Sequence, residues 1–347
     1  MNHTAHPSSS SLRSRKVIPW LEFAVLGASL ILPVFIDDFW TLFFTRVFIL
    51  GLLALSFDLV WGYAGILSFG QALFFGMAGY CTALVATKLD ITSVLVLLPA
   101  AGLVGLIVSL IMAFIVILGR RVPTTVFVAL GTLTGSYVVE RLARGWSYVG
   151  GQNGIPSLPR LTLANHEIAE GVWFYYMALG ILFGVYVLLK FLTRSQLGLV
   201  LAGIRQHETR ITFFGYRVQH VKGIIFALAG FIAGLAGGMY AFHEGYVGPG
   251  QLSPVLSTQV VLYVLFGGVG TLIGAVVGAG VIEYLTFMLS QQYQRLWPII
   301  LGLLLLVIVM FRPTGLIGFL VSDRERIGSF GRPDDAASEN DTDKNPA

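Results

Sequence analysis

Three carboxylates lie inside long apolar stretches of the chain, where an ionisable side chain is costly and is usually kept for a function. They are Asp58, Glu140 and Glu283. Such a group could contact a solute that crosses a membrane or carry a coupling proton, and Glu283, in the middle of its stretch, is the best candidate. A buried, hydrogen-bonded carboxylate would give the same pattern. Asp58, a second candidate for a pathway residue, lies nearer the end of its stretch, where we expect it to reach water.

The surroundings of Glu140 favour a simpler role for this carboxylate. Arg141 follows it directly and Arg144 lies four residues further along, so a local charge pair accounts for Glu140 without any solute. Two other ionisable residues, Glu22 and Arg46, lie nearer the ends of apolar stretches.

The sequence contains no recognisable catalytic or metal-binding set. Its histidines lack metal-ligand spacing, and no Ser/His/Asp order stands out within the apolar stretches. Leu67 to Gln71 (LSFGQ) superficially resembles the signature sequence of ABC ATPases, but it lies in an apolar segment, and the chain has no Gly-x-x-x-x-Gly-Lys-Ser/Thr loop to hold phosphate. We therefore expect no ATP hydrolysis by this chain and no cofactor bound to it.

The composition is that of a membrane protein. Of 347 residues, 56% are hydrophobic and only 12% are charged, and the mean hydropathy is +0.80. These values lie far outside the range of soluble domains. The net charge of +4 is explained by where the basic residues lie, so it does not indicate nucleic acid as a partner. The single cysteine, Cys81, excludes a disulfide framework within the chain.

Apolar stretches long enough to span a bilayer predict an all-α polytopic membrane protein with about ten transmembrane helices. Segment 255–266 is too short to cross unaided and is either a short or a re-entrant helix. Glycines in 62–70 predict a second broken or re-entrant segment. The predicted spans are 18–36, 41–61, 66–87, 92–118, 123–142, 172–192, 223–242, 255–266, 269–290 and 296–311.

The distribution of Lys and Arg predicts that both termini are cytoplasmic, because basic residues favour cytoplasmic loops. Residues 1–17 then form a cytoplasmic tail and 18–320 a transmembrane domain, whose first apolar segment we interpret as a retained span. This domain carries an extracytoplasmic loop at 143–171 and a cytoplasmic loop at 193–222. The polar tail, 321–347, is expected to be disordered.

The basic cytoplasmic loop contains a pattern typical of a short amphipathic helix. Over residues 198–215, Leu201, Ile204, Ile211 and Phe214 share one face, and Gly215 is expected to end the helix. A helix of this kind between membrane spans is expected to dock on a cytoplasmic partner. The polar residues on its other faces are Arg205, Glu208 and Arg210.

Glycines mark helix packing and turns elsewhere in the chain. Two series with a spacing of four predict smooth helix faces for close packing, either within the chain or against a second subunit. The series are Gly230, Gly234, Gly238 and Gly270, Gly274, Gly278. In the extracytoplasmic loop, Gly150, Gly151, Asn153 and Gly154 predict turns that could contact a ligand or a delivery protein.

Several of these stretches resemble one family, the inner-membrane permeases of ABC importers for branched-chain amino acids. Permeases of urea and short-amide importers are near relatives of that family. The likeness covers roughly residues 35–319. The stretches are Trp61 to Tyr80 (WGYAGILSFGQALFFGMAGY), Gly150 to Ile155 (GGQNGI), Ile204 to Arg210 (IRQHETR), Ala227 to Gly238 (ALAGFIAGLAGG) and Phe311 to Ile317 (FRPTGLI).

The resemblance implies a transporter made of several proteins in a bacterial inner membrane. This chain and a homologous second permease subunit would form the pore, two cytoplasmic ABC ATPases would use ATP, and a periplasmic binding protein would deliver the substrate. The helix around Arg205 to Gly215 would fit a cleft on an ATPase. Membrane lipid would be the remaining partner.

The sequence departs from the family at two places and leaves alternatives open. Gln152 and Asn153 stand where many members have an acidic residue, and His207 stands where asparagine is common. Leucine, its branched relatives, urea and short amides are all compatible substrates. A stand-alone ion-coupled secondary transporter or channel, with Glu283 or Asp58 carrying a proton, is the main alternative, and an intramembrane enzyme is disfavoured.

Overall fold

A computed structural model describes residues 27–119, 124–163, 166–168, 171–292, 299–300, 302–303 and 306. Several sequence-based predictions therefore fall outside the described residues, wholly or in part. They concern the N-terminal tail 1–17, most of the first span, the last span at 296–311 and the C-terminal tail 321–347.

Seven helices in the described part of the chain are long and apolar enough to cross a membrane. This confirms the prediction of an all-α polytopic membrane protein. The helices are α2 (Asp38–Asp58), α3 (Gln71–Leu89), α4 (Val94–Val116), α5 (Thr125–Gly145), α6 (Val172–Arg194), α9 (Val218–Glu244) and α11 (Ile273–Gln292).

Shorter elements connect these helices. Residues 27–35 are helical (α1), and α7 (Gln196–Gln206) and α8 (Glu208–Phe213) fill the basic loop. Helix α10 (Pro254–Gly267) has 14 residues, or about 21 Å of helix against a bilayer core of roughly 30 Å. It is therefore too short to cross unaided, as its sequence predicts.

Two pairs of very short antiparallel strands lie in the loops at one end of the bundle. Strands β2 (Thr162–Leu163) and β3 (His166–Glu167) form a hairpin. Strand β1 (Ile155–Pro156) pairs with β4 (Tyr246–Val247), with Ile155 opposite Val247. This second pair joins the loop after α5 to the loop after α9, so both loops lie at the same end of the bundle.

Helices α2 and α9 form the centre of the bundle. Every residue of α2 from Val47 to Asp58 is buried, and α2 contacts α6, α9 and α11. Helix α9 packs most extensively against α4 and next against α3. A helix that is apolar on all sides is expected at such a central place, whereas α4, α5 and α6 expose large apolar side chains on their outer faces.

The first glycine series lies against α4 of the same chain. An added Cβ on Gly234 would lie 2.9 Å from the Cα of Gly105, and one on Gly238 would lie 2.5 Å from the Cβ of Ala101. Gly230 faces Gly105 and Ser109 in the same way. The two backbones approach this closely only because both helices have small residues at the crossing.

The second glycine series does not form one helix face, because α11 begins only at Ile273. Gly270 lies before it with a φ of 78°, in the turn between α10 and α11. Its inclusion in a helical packing strip is therefore wrong. Gly274 and Gly278 lie on α11 against Gly267 of α10, where an added Cβ on Gly278 would be 2.8 Å from the nitrogen of Gly267.

Candidate functional site

Two stretches of irregular backbone lie within the helical bundle. The first follows α2, which ends in a π-helical turn (Leu59–Tyr63), and continues without helix to Gly70. The second is a 3₁₀ turn (Pro249–Leu252) just before α10. It reaches the middle of the bundle, because Ser136, halfway along α5, donates a hydrogen bond of 2.6 Å to the carbonyl of Leu252. The interruption predicted at 62–70 is thus present.

Side chains from neighbouring helices satisfy the broken backbone. The amide of Phe69 donates to Oγ1 of Thr132 on α5 (2.9 Å). Ser257 on α10 donates to the carbonyl of Phe69 (2.7 Å) and accepts from the amide of Ala72 (3.1 Å). Non-helical backbone at membrane depth is tolerated where protein covers it in this way.

Asp58 fastens the end of α2 to the turn between α10 and α11. Its Oδ1 accepts from the amide of Gly270 (2.6 Å) and its Oδ2 from the amide of Leu272 (3.0 Å). The residue has no exposed surface. The expectation that Asp58 reaches water at the edge of the membrane is therefore wrong, because the turn covers the carboxylate and uses both of its oxygens.

Arg205 on α7 contacts the same junction. Its Nη1 donates to the carbonyl of Gly62, and its side chain lies against Gly65, whose φ is 69°. A side chain predicted to face a partner protein thus binds the broken segment of its own chain. The α7 helix, the end of α2 and the α10–α11 turn therefore meet at one end of the bundle.

The basic loop contains two helices where the sequence predicts one. His207 is extended, with φ −148° and ψ 90°, and separates α7 from α8. Ile211 folds back over α7, where an added Cβ on Gly203 would lie 3.0 Å from its Cγ1. Gly215 follows α8 with a φ of 86°, and its amide donates to the carbonyl of Thr212 (3.0 Å).

The predicted apolar face of this loop is divided between the core and the surface. Leu201 and Ile204 are buried, but Phe214 is 77% exposed and its neighbour Phe213 is 91% exposed. Arg210 is exposed beside them. We call Arg210, Phe213 and Phe214 the aromatic tip. Sequence periodicity missed Phe213, because it treats α7 and α8 as one continuous helix.

An ion pair ties the aromatic tip to the membrane bundle. Nζ of Lys222, in the first turns of α9, lies 2.7 Å from Oε2 of Glu208 at the start of α8. Glu208, like Arg205, thus has its partner within the chain.

Glu283 lies in a network of polar side chains near the other end of the bundle. Its Oε1 accepts from Nε2 of Gln259 (2.9 Å) and from the hydroxyl of Tyr263. Nε of Arg46 lies 3.4 Å from its Oε2, and Nη1 of Arg46 lies 3.6 Å from Oε1 of Glu244. The sequence alone assigns no role to Arg46. Its charge within an apolar stretch was the available signal.

A cavity of 380 Å³ borders this network. Polar side chains on its wall include Arg46, Tyr240, Gln251 and Gln259, and Leu50 contributes an apolar side chain. The guanidinium of Arg46 also lies over the ring of Tyr240, 5.8 Å from its centroid. A second cavity, of 660 Å³, lies between α3 and α5 and has mostly apolar walls.

Glu140 lies outside both networks. It pairs with Arg144 one turn further along α5, at 2.7 Å. This is the local charge pair that the spacing predicts.

The glycine-rich loop after α5 packs on the loop after α9. Gly150, Gly151 and Gly154 have φ values of 87°, 57° and 68°, which favour glycine, and Asn153 ends a 3₁₀ turn (Gly151–Asn153). An added Cβ on Gly154 would lie 2.8 Å from the Cα of Gly248. These residues therefore shape a compact end surface rather than an open loop.

Comparisons with known proteins identify the family. A family model described as "Branched-chain amino acid transport system / permease component" matches residues 40–309. The chain is 27% identical over 296 residues to a LivM permease protein of a high-affinity branched-chain amino acid transport system from Salmonella typhimurium, covering 79% of this chain and 68% of the relative. A probable LivM of Methanocaldococcus jannaschii is 25% identical over 311 residues, covering 77% of this chain and 89% of the relative.

A LivM permease protein of Escherichia coli is 26% identical over 296 residues, covering 79% of this chain and 68% of the relative. No solved structure matches the chain. The family match spans the interrupted segment, both cavities and the α7–α8 loop, and it extends over most of the sequence. The chain therefore belongs to the family of permease components of branched-chain amino acid transport systems.

Proposed function

We propose that the chain is the permease subunit of an ABC importer that moves branched-chain amino acids, or a related small amide such as urea, across a bacterial inner membrane. The names of the relatives support branched-chain amino acids as the substrate class. The sequence lacks a loop that could hold the phosphates of ATP. Separate ATPase subunits supply the energy in this proposal, and the chain itself carries out no reaction.

The observation that carries the proposal is the connection between the aromatic tip and the interrupted membrane segment. Arg205 binds the carbonyl of Gly62, and Glu208 binds Lys222 of α9. A force on α7 and α8 is thus passed to α2 and α9, the two central helices. A partner can shift the pore between states only through contacts that differ between them, and these bonds are suited to that role.

The aromatic tip is the proposed contact with the ATPase. Two adjacent phenylalanines that are more than three-quarters exposed are unfavourable in water unless a partner covers them. Aromatic side chains beside an arginine are typical of the residues that dominate protein interfaces. Arg205 and Glu208 then act within the chain, and Arg210 and the phenylalanines act on the partner.

The proposed topology has ten segments, one of them short, and both termini in the cytoplasm. The end of the bundle that carries α7, α8 and the α10–α11 turn faces the cytoplasm, because its loop is basic. Residues 1–17 and 321–347 are the tails, 18–320 the transmembrane domain, and 193–222 the cytoplasmic loop. The opposite end, with loop 143–171, faces the periplasm.

The proposed assembly contains a homologous second permease subunit, two cytoplasmic ATPases and a periplasmic binding protein, surrounded by lipid. The compact end surface formed by Gly150, Gly151, Asn153 and Gly154 is the proposed contact for the binding protein. Neither nucleic acid nor a cofactor of this chain has a part in it.

A pair of substitutions at each phenylalanine tests the ATPase contact. We expect Phe213→Asp and Phe214→Asp to weaken co-purification of the ATPase at least about tenfold and to abolish uptake by the reconstituted importer. Phe213→Leu and Phe214→Leu keep an apolar side chain and serve as matched controls. Because both residues are exposed, the variants should fold normally. Undiminished ATPase binding by the aspartate variants would contradict the proposed contact.

A further inference from the structure

The second cavity, between α3 and α5, is a groove in the outer surface of the bundle. Leu142, Trp146 and Tyr148 border it and are each at least 60% exposed, so it opens to the surroundings of the bundle. Its volume of 660 Å³ is within the range of ligand sites, roughly 300–1,000 Å³. It shares no wall residue with the cavity beside Arg46. The groove is therefore separate from the Glu283 network.

The deep part of the groove suits a hydrocarbon chain. Met77 and Leu84 of α3 and Val139 of α5 border it. Met77 lies twelve residues before Leu89, the end of α3, or about 18 Å along the helix. Half of a bilayer core is about 15 Å thick, so the groove extends through the depth of one leaflet. A cavity with apolar walls holds water poorly and binds apolar groups instead.

The mouth of the groove carries positive charge. Arg141 borders the groove and lies four residues before Gly145, the end of α5. Its Nε donates to the hydroxyl of Tyr137 (3.0 Å), but neither of its Nη atoms has a hydrogen bond among the described residues. The carboxylate of Glu140 is paired with Arg144 instead. The two Nη atoms are therefore available for the paired hydrogen bonds that a guanidinium makes to a phosphate.

Two aromatic residues and a second cation surround this mouth. Trp146 and Tyr148 follow α5 and border the groove, and such side chains are enriched at the level of lipid headgroups. Nζ of Lys88, in the last turn of α3, lies 5.9 Å from the centroid of the Tyr148 ring. Neither Lys88 nor Arg141 has an ion-pair partner in the described part of the chain. An anionic headgroup would therefore meet two unpaired positive charges.

We propose that this groove binds one anionic glycerophospholipid, with an acyl chain between α3 and α5 and the headgroup phosphate at Arg141. A water-soluble anion would match only the mouth, and an uncharged lipid would match only the deep part. The bound lipid would brace α3 against α5, whose Thr132 holds the broken backbone at Phe69. The inference requires that the chain spans a membrane, and it does not depend on the proposed transport.

Cys81 makes occupation of the groove measurable in the unaltered chain. It is the single cysteine of the chain, and it borders the groove and is partly exposed. The chain would be purified in an uncharged detergent with the subunits that accompany it. Phosphatidylglycerol would then be titrated, and alkylation of Cys81 by N-ethylmaleimide would be followed by mass spectrometry of its peptide. We expect the lipid to slow alkylation in a saturable manner, because it covers the thiol.

Two partial ligands separate the two halves of the site. Dioleoylglycerol keeps the acyl chains and lacks the phosphate, whereas glycerol 3-phosphate keeps the phosphate and lacks the chains. We expect dioleoylglycerol to need at least about a tenfold higher mole fraction than phosphatidylglycerol for the same protection, because the hydrogen bonds to Arg141 are lost. Glycerol 3-phosphate should give no protection, because it does not reach the deep part of the groove.

Variants assign the phosphate to Arg141. We expect Arg141→Gln to weaken protection by phosphatidylglycerol at least about tenfold and to leave protection by dioleoylglycerol unchanged. Arg217→Gln is the matched control, because Arg217 is an exposed arginine just before α9, at the other end of the bundle. Size-exclusion chromatography checks folding. If Arg141→Gln does not fold, the partial ligands on the unaltered protein decide.

Four results would overturn the inference. The first three are alkylation that phosphatidylglycerol does not slow, equal protection by dioleoylglycerol, and equal losses in Arg141→Gln and Arg217→Gln. The fourth is alkylation that stays slow without lipid and becomes fast once a second permease subunit is removed, because that subunit would then cover the groove. The measurement needs neither ATP nor uptake, so its failure would leave the proposed function intact.

Discussion

Asp58 and Glu283 are both buried carboxylates on apolar helices, but their partners differ in kind. Asp58 accepts hydrogen bonds from two backbone amides of the α10–α11 turn. Glu283 accepts from two side chains and lies beside an arginine that borders a cavity. The first arrangement fixes one piece of backbone to another. The second leaves charged groups next to an open space, and this difference separates a structural carboxylate from a candidate site residue.

The two regions also differ in what they adjoin. The Asp58 junction adjoins Arg205 and the loop that would receive force from an ATPase. The Glu283 network adjoins the cavity of 380 Å³ that Arg46 and Gln259 border. Helix α2 carries both, with Asp58 at its end and Arg46 nearer its start. A shift of α2 would therefore affect both regions together.

The largest effect is expected for Asp58→Leu. This change leaves the amides of Gly270 and Leu272 buried without an acceptor, at a cost of about 1–3 kcal/mol each. We expect a loss of about 2–6 kcal/mol in the free energy of unfolding, measured as a lower melting temperature and a smaller folded fraction in size-exclusion chromatography. Asp58→Asn keeps one carbonyl acceptor and should lose less. A stable Asp58→Leu protein would contradict the structural role that we assign to Asp58.

Gly62→Ala is expected to disturb the same junction by steric overlap. An added Cβ would lie 2.7 Å from the nitrogen of Gly270 and would press on Asp58. We expect a loss of about 1–3 kcal/mol, as for overpacked cores, in the same melting measurement. Gly180→Ala on α6 is the control, because no atom lies within 4 Å of its added Cβ. Equal melting temperatures for both variants would indicate that the junction tolerates movement.

Glu283→Gln is expected to affect transport far more than stability. The amide still accepts from Gln259 and Tyr263, so the free energy of unfolding should fall by about 1 kcal/mol or less. Loss of the charge beside Arg46 should lower ATP-driven uptake at least about tenfold. Glu140→Gln, which alters a buried carboxylate paired with Arg144, should leave uptake near normal. Similar uptake by both variants would show that Glu283 has no special role.

Lys222→Gln is expected to have the smallest effect. Its ion pair with Glu208 is partly exposed, and such pairs contribute roughly 0–1 kcal/mol. We expect a change of about 0.5 kcal/mol or less in unfolding and about a twofold loss of uptake. The double variant with Glu208→Gln should lose no more than either single variant. Additive losses would mean that the two residues act independently.

Local sequence features predicted much of the fold. Long apolar runs predicted the spanning helices. The short run at 255–266 predicted α10, and the glycines at 62–70 predicted the break after α2. The spacing of Glu140 and Arg144 gave their ion pair. Each of these follows from residues that are close in sequence.

Long-range contacts explain what the sequence alone missed. The amides that bury Asp58 come from residues more than 200 positions away, and the acceptor for Arg205 lies 143 positions away. The polar network around Arg46 combines side chains from α2, α9, α10 and α11, so periodicity within one helix could not define it. The break at His207 depends on Ile211 folding back over Gly203, which a single helical wheel does not represent.

Uptake by proteoliposomes tests the central claim most directly. The chain would be reconstituted alone or with its second permease subunit, the ATPases and the binding protein, and accumulation of labelled leucine would be followed with ATP or with an ion gradient. We predict accumulation only in the complete assembly with ATP. Accumulation by the isolated chain under an ion gradient would contradict the account.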